Sequence, residues 1–199
     1  VVPVFPCLAD GKRPLTRRGF LDASSDPARI AAWWSRTPNA NIGIPTGAAS
    51  GVVVVDVDVH GPTDGRVAWK RAADAGLVDG AVLLVRTPTG GTHAYFPATA
   101  GREQRSWQAA AAGVDFRGDG GYIIAPPSRR IIDGHVRRYE VADIAAHSVS
   151  SVDAARLRID RGLQGFGIGG AQLRQLAPVQ HPRGHVHAGG GQPFENALV

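Results

Sequence analysis

The segment GVVVVDVDV, residues 51 to 59, constrains the fold more than any other stretch of the chain. β-Branched side chains are stiff at χ1 and pack well on a pleated surface, so a valine run of this kind is expected as a buried strand. Successive side chains of a strand alternate between its faces. Asp56 and Asp58 therefore share one face, and Val55, Val57 and Val59 share the other. Two carboxylates held this close repel each other, so that end of the strand needs either bulk water or a cation between them. A hard divalent ion such as Mg²⁺ or Mn²⁺ prefers oxygen ligands and accepts one or two carboxylates together with substrate phosphates. Hydrated strand end and metal site both remain open from this segment alone.

Two further segments bear on the choice. In VDFRGDGG, residues 114 to 121, Asp115 lies inside a short apolar strand with Arg117 on the same face. Three strand-borne carboxylates could hold two metal ions, the arrangement that clamps the attacking and leaving oxygens in phosphoryl or nucleotidyl transfer. Asp119, set among glycines, reads as a turn residue. In TPTGGTHAYF, residues 87 to 96, Gly90 and Gly91 let the backbone approach a ligand closely, and amides in such a turn can form an anion nest. Thr92 and His93 then enter a strand, where the imidazole could bond a phosphate oxygen. A common glycine turn followed by a structural histidine is the plainer reading of the same residues.

Around these segments the chain alternates strand-like and helical patterns. VVPVF (1 to 5) reads as a strand, and ADGKRPLTRRGF (9 to 20) as turns. Asp26 as N-cap and Pro27 at the first helical position start a helix through ARIAAWWSR, with Ile30, Trp33 and Trp34 as its core-facing stripe. NIGIPTG (41 to 47) reads as a strand, and its short loop to the valine run favours adjacent pairing. Thr63 is expected to cap a helix running to about Ala75 and ended by Gly76. AVLLVRT (81 to 87) and THAYFPA (92 to 98) form a hairpin, and residues 99 to 112 a loop or weak helix. VDFRG (114 to 118) and GYIIAPP (121 to 127) are strands either side of Gly118-Asp119-Gly120, and RRYEV (137 to 141) an added edge strand. The expectation is an α/β (α+β) core on a mixed, largely antiparallel sheet flanked by helices. That core spans residues 1 to 150, followed by a helical extension (151 to 177, with a basic helix over 152 to 164) and a flexible Gly/Pro/His-rich tail or linker (178 to 199).

The net charge of +5 comes from twenty arginines and two lysines against 17 acidic residues. Such a balance suits a polyanionic partner, although a GC-rich genome raises arginine content too. The one cysteine, Cys7, excludes an internal disulfide and the usual multi-cysteine zinc site, and is expected as a buried thiol. Neither a membrane-length apolar run nor a signal segment is found, so a cytoplasmic protein without membrane contact is expected. A chain lacking methionine even at position 1 is expected to be a piece of a longer protein.

In this order the motifs resemble the bifunctional DNA primase/polymerase (prim-pol) N-terminal domain of the archaeo-eukaryotic primase superfamily, found in phage and plasmid replication proteins. VVVVDVD matches its first motif, GGTH its second and VDFRGDGGYIIAPPS its third. The flanks FPCLADGKRPL, the D-P-x-x-I-x-x-W-W helix and NIGIPTGAASG look like its amino-terminal half, and the likeness covers roughly residues 4 to 140. The resemblance implies a metal-dependent, template-directed nucleotidyltransferase in DNA replication, with Asp56, Asp58 and Asp115 as ligands of a two-metal Mg²⁺ or Mn²⁺ site. It implies His93 at the incoming triphosphate, helped by Thr92, Gly90 and Gly91. Arg117 and Lys12 are added as phosphate-binding cations on our own reading. Expected partners are single-stranded or primed DNA, nucleoside triphosphates and a helicase domain in cis or in trans; for a phage-encoded chain the compartment is the host cytoplasm. No zinc is expected, since the cysteine/histidine element of some members is missing. The region after the core is short and glycine-broken, which favours polymerase over primase activity for this piece.

Two other functions fit parts of the sequence. D-x-D is also the manganese site of nucleotide-sugar glycosyltransferases, which would leave the third aspartate and the basic charge unexplained. A non-catalytic single-stranded DNA or origin-binding module would explain the charge without any turnover.

Overall fold

The computed structural model describes residues 1–60 and 63–144. The helix expected at 152 to 164 and the tail from Pro178 lie outside the described residues. Within them the elements follow as β1 (Phe5–Cys7), α1 (Pro27–Arg36), β2 (Asn41–Pro45), β3 (Val52–Val57), β4 (Val59–His60) and β5 (Thr63–Asp64). Next come α2 (Gly65–Asp74), β6 (Leu83–Arg86), β7 (Thr92–Pro97), β8 (Trp107–Ala109) and β9 (Val114–Arg117). β10 (Tyr122–Ala125), β11 (Arg129–Ile132), β12 (His135–Arg138) and β13 (Glu140–Ile144) complete the order.

Six strands form the main sheet, ordered β13-β6-β7-β3-β9-β8, and every neighbouring pair in it is antiparallel. The valine run is its centre: β3 pairs with β7 on one side and β9 on the other, and Val53, Val54 and Val55 are fully buried. Fully burying one such side chain is worth about 1.5–3 kcal/mol. On one face, Val53, Val55, Val57, Ala94, Phe96, Val114 and Phe116 pack with Ala68, Trp69 and Ala72 of α2. On the other face, Val52, Val54, Val85 and Tyr95 pack against a second sheet, ordered β1-β2-β10, through Phe5, Cys7, Ile123 and Ile124. The expected α+β core on a largely antiparallel sheet is therefore what the chain builds, as a helix, a central sheet and a smaller sheet in layers. Among the described residues no helix is long and apolar enough to cross a membrane.

Several local expectations are corrected. β2 and the valine run are not sheet partners: only Gly47 and Val52 form a bridge, and β2 pairs with β1 and β10 instead. Both edges of β3 are already taken, so the chain between them carries it from one sheet to the other. The cap of α2 is Asp64 rather than Thr63; its carboxylate accepts from the Arg66 N–H at 3.1 Å, while Thr63 pairs with His60. Residues 99 to 112, expected as a loop or weak helix, end in a short helical turn at Ala110–Ala112 but also carry β8, which closes one edge of the main sheet against β9. At α1, Asp26 caps as expected, accepting from the Ala28 N–H at 3.0 Å. Its stripe is only half-buried: Ile30, Trp33 and Trp34 stay partly exposed, and Arg29 lies over the Trp33 ring. The edge strand expected from RRYEV is split: Arg137 and Arg138 end β12, and Glu140 and Val141 begin β13, which takes the edge beside β6.

Candidate active site

The register of three central strands assembles the site. Asp56 on β3 stands directly opposite His93 on β7 and Asp115 on β9, so the three side chains form one row across the sheet. Each has its neighbours two residues away on the same face, which is the face toward the smaller sheet. Arg117 thereby joins Asp115, and Tyr95 joins His93. All three members of the row are buried, with Asp56 at 6%, Asp115 at 7% and His93 at 3% exposure.

Like charges opposite each other in a sheet are destabilising, and here both carboxylates are out of bulk water. Arg117 offsets this: its guanidinium lies 2.8 Å from Asp115 Oδ2 and 3.8 Å from Asp56 Oδ2. The other oxygen of Asp115 accepts from the Ala109 N–H of β8 at 3.1 Å. His93 Nε2 is 3.4 Å from Asp56 Oδ1, and Nδ1 is buried without a hydrogen-bond partner. Burial first, then the charge of Lys12, pulls the imidazole down to about 3, against the opposing pull of Asp58. His93 is a neutral ring at physiological pH. Its ring packs 5.7 Å from that of Tyr139, whose hydroxyl burial pushes up to about 12.

Asp58 stands just past the end of β3, where the strand breaks. Its N–H donates to the Gly113 carbonyl at 2.8 Å and its carbonyl accepts from Gly65 N–H at 2.9 Å, so the backbone is held from both sides. Gly65 is required there, because a Cβ would run into the Gly113 carbonyl. The Asp58 carboxylate is near enough to raise the proton affinity of both His93 and Tyr139.

A cleft of about 230 Å³ opens between the two sheets over this row. Asp56, His93 and Arg117 line it from the main sheet, and Tyr122, Ile123 and Ile124 from the smaller one, with Lys12 and Phe20 at the amino-terminal side. Lys12 thus comes to the same cleft as the histidine and the arginine, across a long stretch of sequence. Gly90, Gly91 and Thr92 are not part of the cleft lining, and neither are Asp58 and Asp115; Arg117 separates Asp115 from it. Gly91 packs against the Val57 carbonyl, too close for a side chain, and the Gly90 N–H donates to the Thr87 carbonyl at 3.0 Å. Asp119 is a turn residue, as expected: its two oxygens accept from Ala48 N–H and Gln104 N–H. Sequence reading misses Tyr122, Tyr139, Phe20 and Ser106 in the cleft wall, since none sits in a pattern that marks a site.

Among the described residues, no three histidine, cysteine, aspartate or glutamate side chains converge as a metal site as they stand. What does stand between the two neighbouring carboxylates is a cation, the Arg117 guanidinium.

Two neighbouring buried carboxylates bridged by one guanidinium, with a neutral histidine beside them and Lys12 on the same cleft, make a charged site on an antiparallel sheet. Residues 2–153 match the family Prim-Pol, bifunctional DNA primase/polymerase, N-terminal, and the chain belongs to it. No curated protein matches the chain. The family supports a primase/polymerase-type role in DNA replication.

Proposed function

We propose that this chain is a metal-dependent, template-directed nucleotidyltransferase, with its reaction centre at the Asp56–His93–Asp115 row. The observation that carries the reading is that row itself: two buried carboxylates side by side, joined through one guanidinium, of which Asp56 and the guanidinium line a cleft that also holds Lys12. Oxygen donors suit Mg²⁺ or Mn²⁺, and the place between Asp56 and Asp115 already takes positive charge. Asp56 and Asp115, with Asp58 at the strand end, are the ligands we assign. The ions would activate a primer 3′-hydroxyl and stabilise the pyrophosphate leaving group.

The chain's own residues do the rest. Lys12 and Arg117 hold triphosphate oxygens, with Arg117 turning from the carboxylates toward the ligand. His93, being neutral, adds no charge to the centre; with its proton on Nε2 toward Asp56, the unpartnered Nδ1 is an acceptor, a position for a water or a ligand hydroxyl. Tyr122, stacked on Phe20 at 5.9 Å between ring centres, gives the cleft an aromatic wall for a base or sugar. The substrates are nucleoside triphosphates and a primed or single-stranded DNA template, and membership of the family favours this over nucleotide-sugar transfer.

Primer extension with Mn²⁺ or Mg²⁺ tests the reading. Asp56→Ala is expected to lose at least about 100-fold in rate, as removal of a group that fixes a catalytic ion does. Extension undiminished in that variant would sink the proposed centre. Tight binding of DNA with no incorporation under any metal would favour a non-catalytic module.

A further inference from the structure

β11 and β12 form a two-stranded ribbon that joins neither larger sheet. Its register sets arginine opposite arginine twice, Arg129 across from Arg138 and Arg130 across from Arg137. Like charges in such positions repel, and a ribbon that carries four of them is poorly suited to stand alone in water. One of the four is matched within the described chain: Arg129 Nε donates to Asp10 at 2.9 Å. Arg137 and Arg138 are exposed, Arg138 also donating to the Pro127 carbonyl at 3.4 Å. Nearer the tip, Ile131 and Val136 face each other and are 54% and 55% exposed. Because side chains alternate, the open apolar pair shares its face with Arg129 and Arg138, while Arg130 and Arg137 lie on the other.

Its root is fixed to the cleft. The Tyr139 N–H donates to the Ser128 carbonyl at 2.8 Å, closing the ribbon, and Tyr139 lines the cleft beside His93. Buried Asn41 clamps the other strand, donating to the Arg129 carbonyl at 2.8 Å and accepting from the Arg129 N–H at 3.0 Å. At the tip, Asp133 and Gly134 both have positive φ, 50° and 77°, as the tight hairpin turn of an Asp-Gly pair requires.

We propose that this ribbon is a grip for single-stranded nucleic acid, with Arg138 on a backbone phosphate beside the Ile131–Val136 pair, that pair against unstacked bases, and Arg137 reaching the same strand around the ribbon's edge. Arginine's fork suits phosphate, and an exposed apolar pair suits base faces that a duplex keeps stacked. A strand held on the ribbon has one end at the cleft rim, because the ribbon begins and ends there.

Fluorescence anisotropy of a labelled single-stranded DNA oligonucleotide, titrated with the whole chain over a range of salt and without metal or nucleotide, reads the grip apart from catalysis. Arg137→Gln with Arg138→Gln is expected to bind on the order of tenfold more weakly, with a salt dependence shallower by about 0.7 for each phosphate no longer neutralised. Arg66→Gln with Lys70→Gln, on α2 behind the main sheet, removes the same charge and is expected to change binding far less. Arg137→Lys with Arg138→Lys keeps the charge and is expected to keep most of the affinity. Ile131→Ser with Val136→Ser is expected to weaken single-stranded but not duplex binding. Equal losses in the ribbon and α2 variants, or an unchanged salt slope, would overturn the grip; equal losses on duplex would overturn its assignment to single strands.

Discussion

Asp56 and Asp115 face each other across neighbouring strands with one guanidinium between them, and that geometry makes the charge balance of the site a matter of single residues. Removing the cation leaves two buried carboxylates unscreened. Arg117→Gln is expected to cost about 2–3 kcal/mol of stability in chelator, somewhat less than a fully buried pair because Arg117 is 27% exposed. If a divalent ion takes the same place, Mn²⁺ should raise the melting temperature of Arg117→Gln more than that of the wild type, since only the wild type already holds a cation there. Differential scanning fluorimetry with and without Mn²⁺ decides it; equal shifts would mean that the arginine and the ion do not share a position. Gly91 makes a different point at the same scale. A Cβ there meets the Val57 carbonyl, so Gly91→Ala is expected to destabilise by about 1–3 kcal/mol through overpacking, without touching any ligand. A loss of nucleotide affinity at unchanged stability would instead show the turn in contact with ligand.

Between elements, the buried Asn41 side chain joins three segments far apart in the chain. From β2 its amide donates to the Gly11 carbonyl at 2.9 Å and to the Arg129 carbonyl, while its oxygen accepts from the Arg129 N–H. It ties together the turn carrying Lys12, the smaller sheet and the root of the ribbon. Asn41→Ala leaves three part-buried backbone groups without this partner at once and is expected to cost about 2–4 kcal/mol in a urea titration, against well under 1 kcal/mol for the exposed Ser35→Ala. Equal effects would show that the clamp is redundant. Elements of this kind also mark where sequence reading reaches its limit. The alternation of VVVVDVD places Asp56 correctly against the core, and VDFRG puts Asp115 and Arg117 on one face, because a period of two is dictated by the strand itself. Which strands pair is not. The link from β2 to β3 is short enough for a hairpin, yet the two edges of β3 are filled by β7 and β9, which arrive much later in the chain. The Asp-Gly of IIDGHV is a legible hairpin signal for the ribbon, although of the strands expected from the sequence only RRYEV touches it, as an edge strand rather than half of a hairpin. Tyr122 and Tyr139 carry no local mark at all; they join the cleft only because the smaller sheet folds over the row.

At the scale of the whole molecule, the layered core is closed by residues that no single element could bury. Cys7 is one: it lies at zero exposure between the smaller sheet and the main one, and burial pushes its thiol from 9.0 up to about 12. The folded chain therefore keeps its proton at pH values where the unfolded chain has lost it. The native state binds more protons than the unfolded state through that window, so stability falls as pH rises from about 9 toward 12, and the contribution is intact below 9. The tyrosines Tyr95 and Tyr139, also raised by burial, act in the same direction but from an ordinary value of 10.0. Between pH 9 and 10 the decline should thus belong mainly to Cys7. Urea midpoints measured across that interval are expected to drop in the wild type and to stay nearly flat in Cys7→Ala, whose lower stability at neutral pH reflects only the lost packing. The same burial predicts that a thiol reagent labels Cys7 only as fast as the protein opens. Labelling that is rapid under native conditions, or a Cys7→Ala profile as steep as the wild type, would place the thiol outside the closed interface between the two sheets.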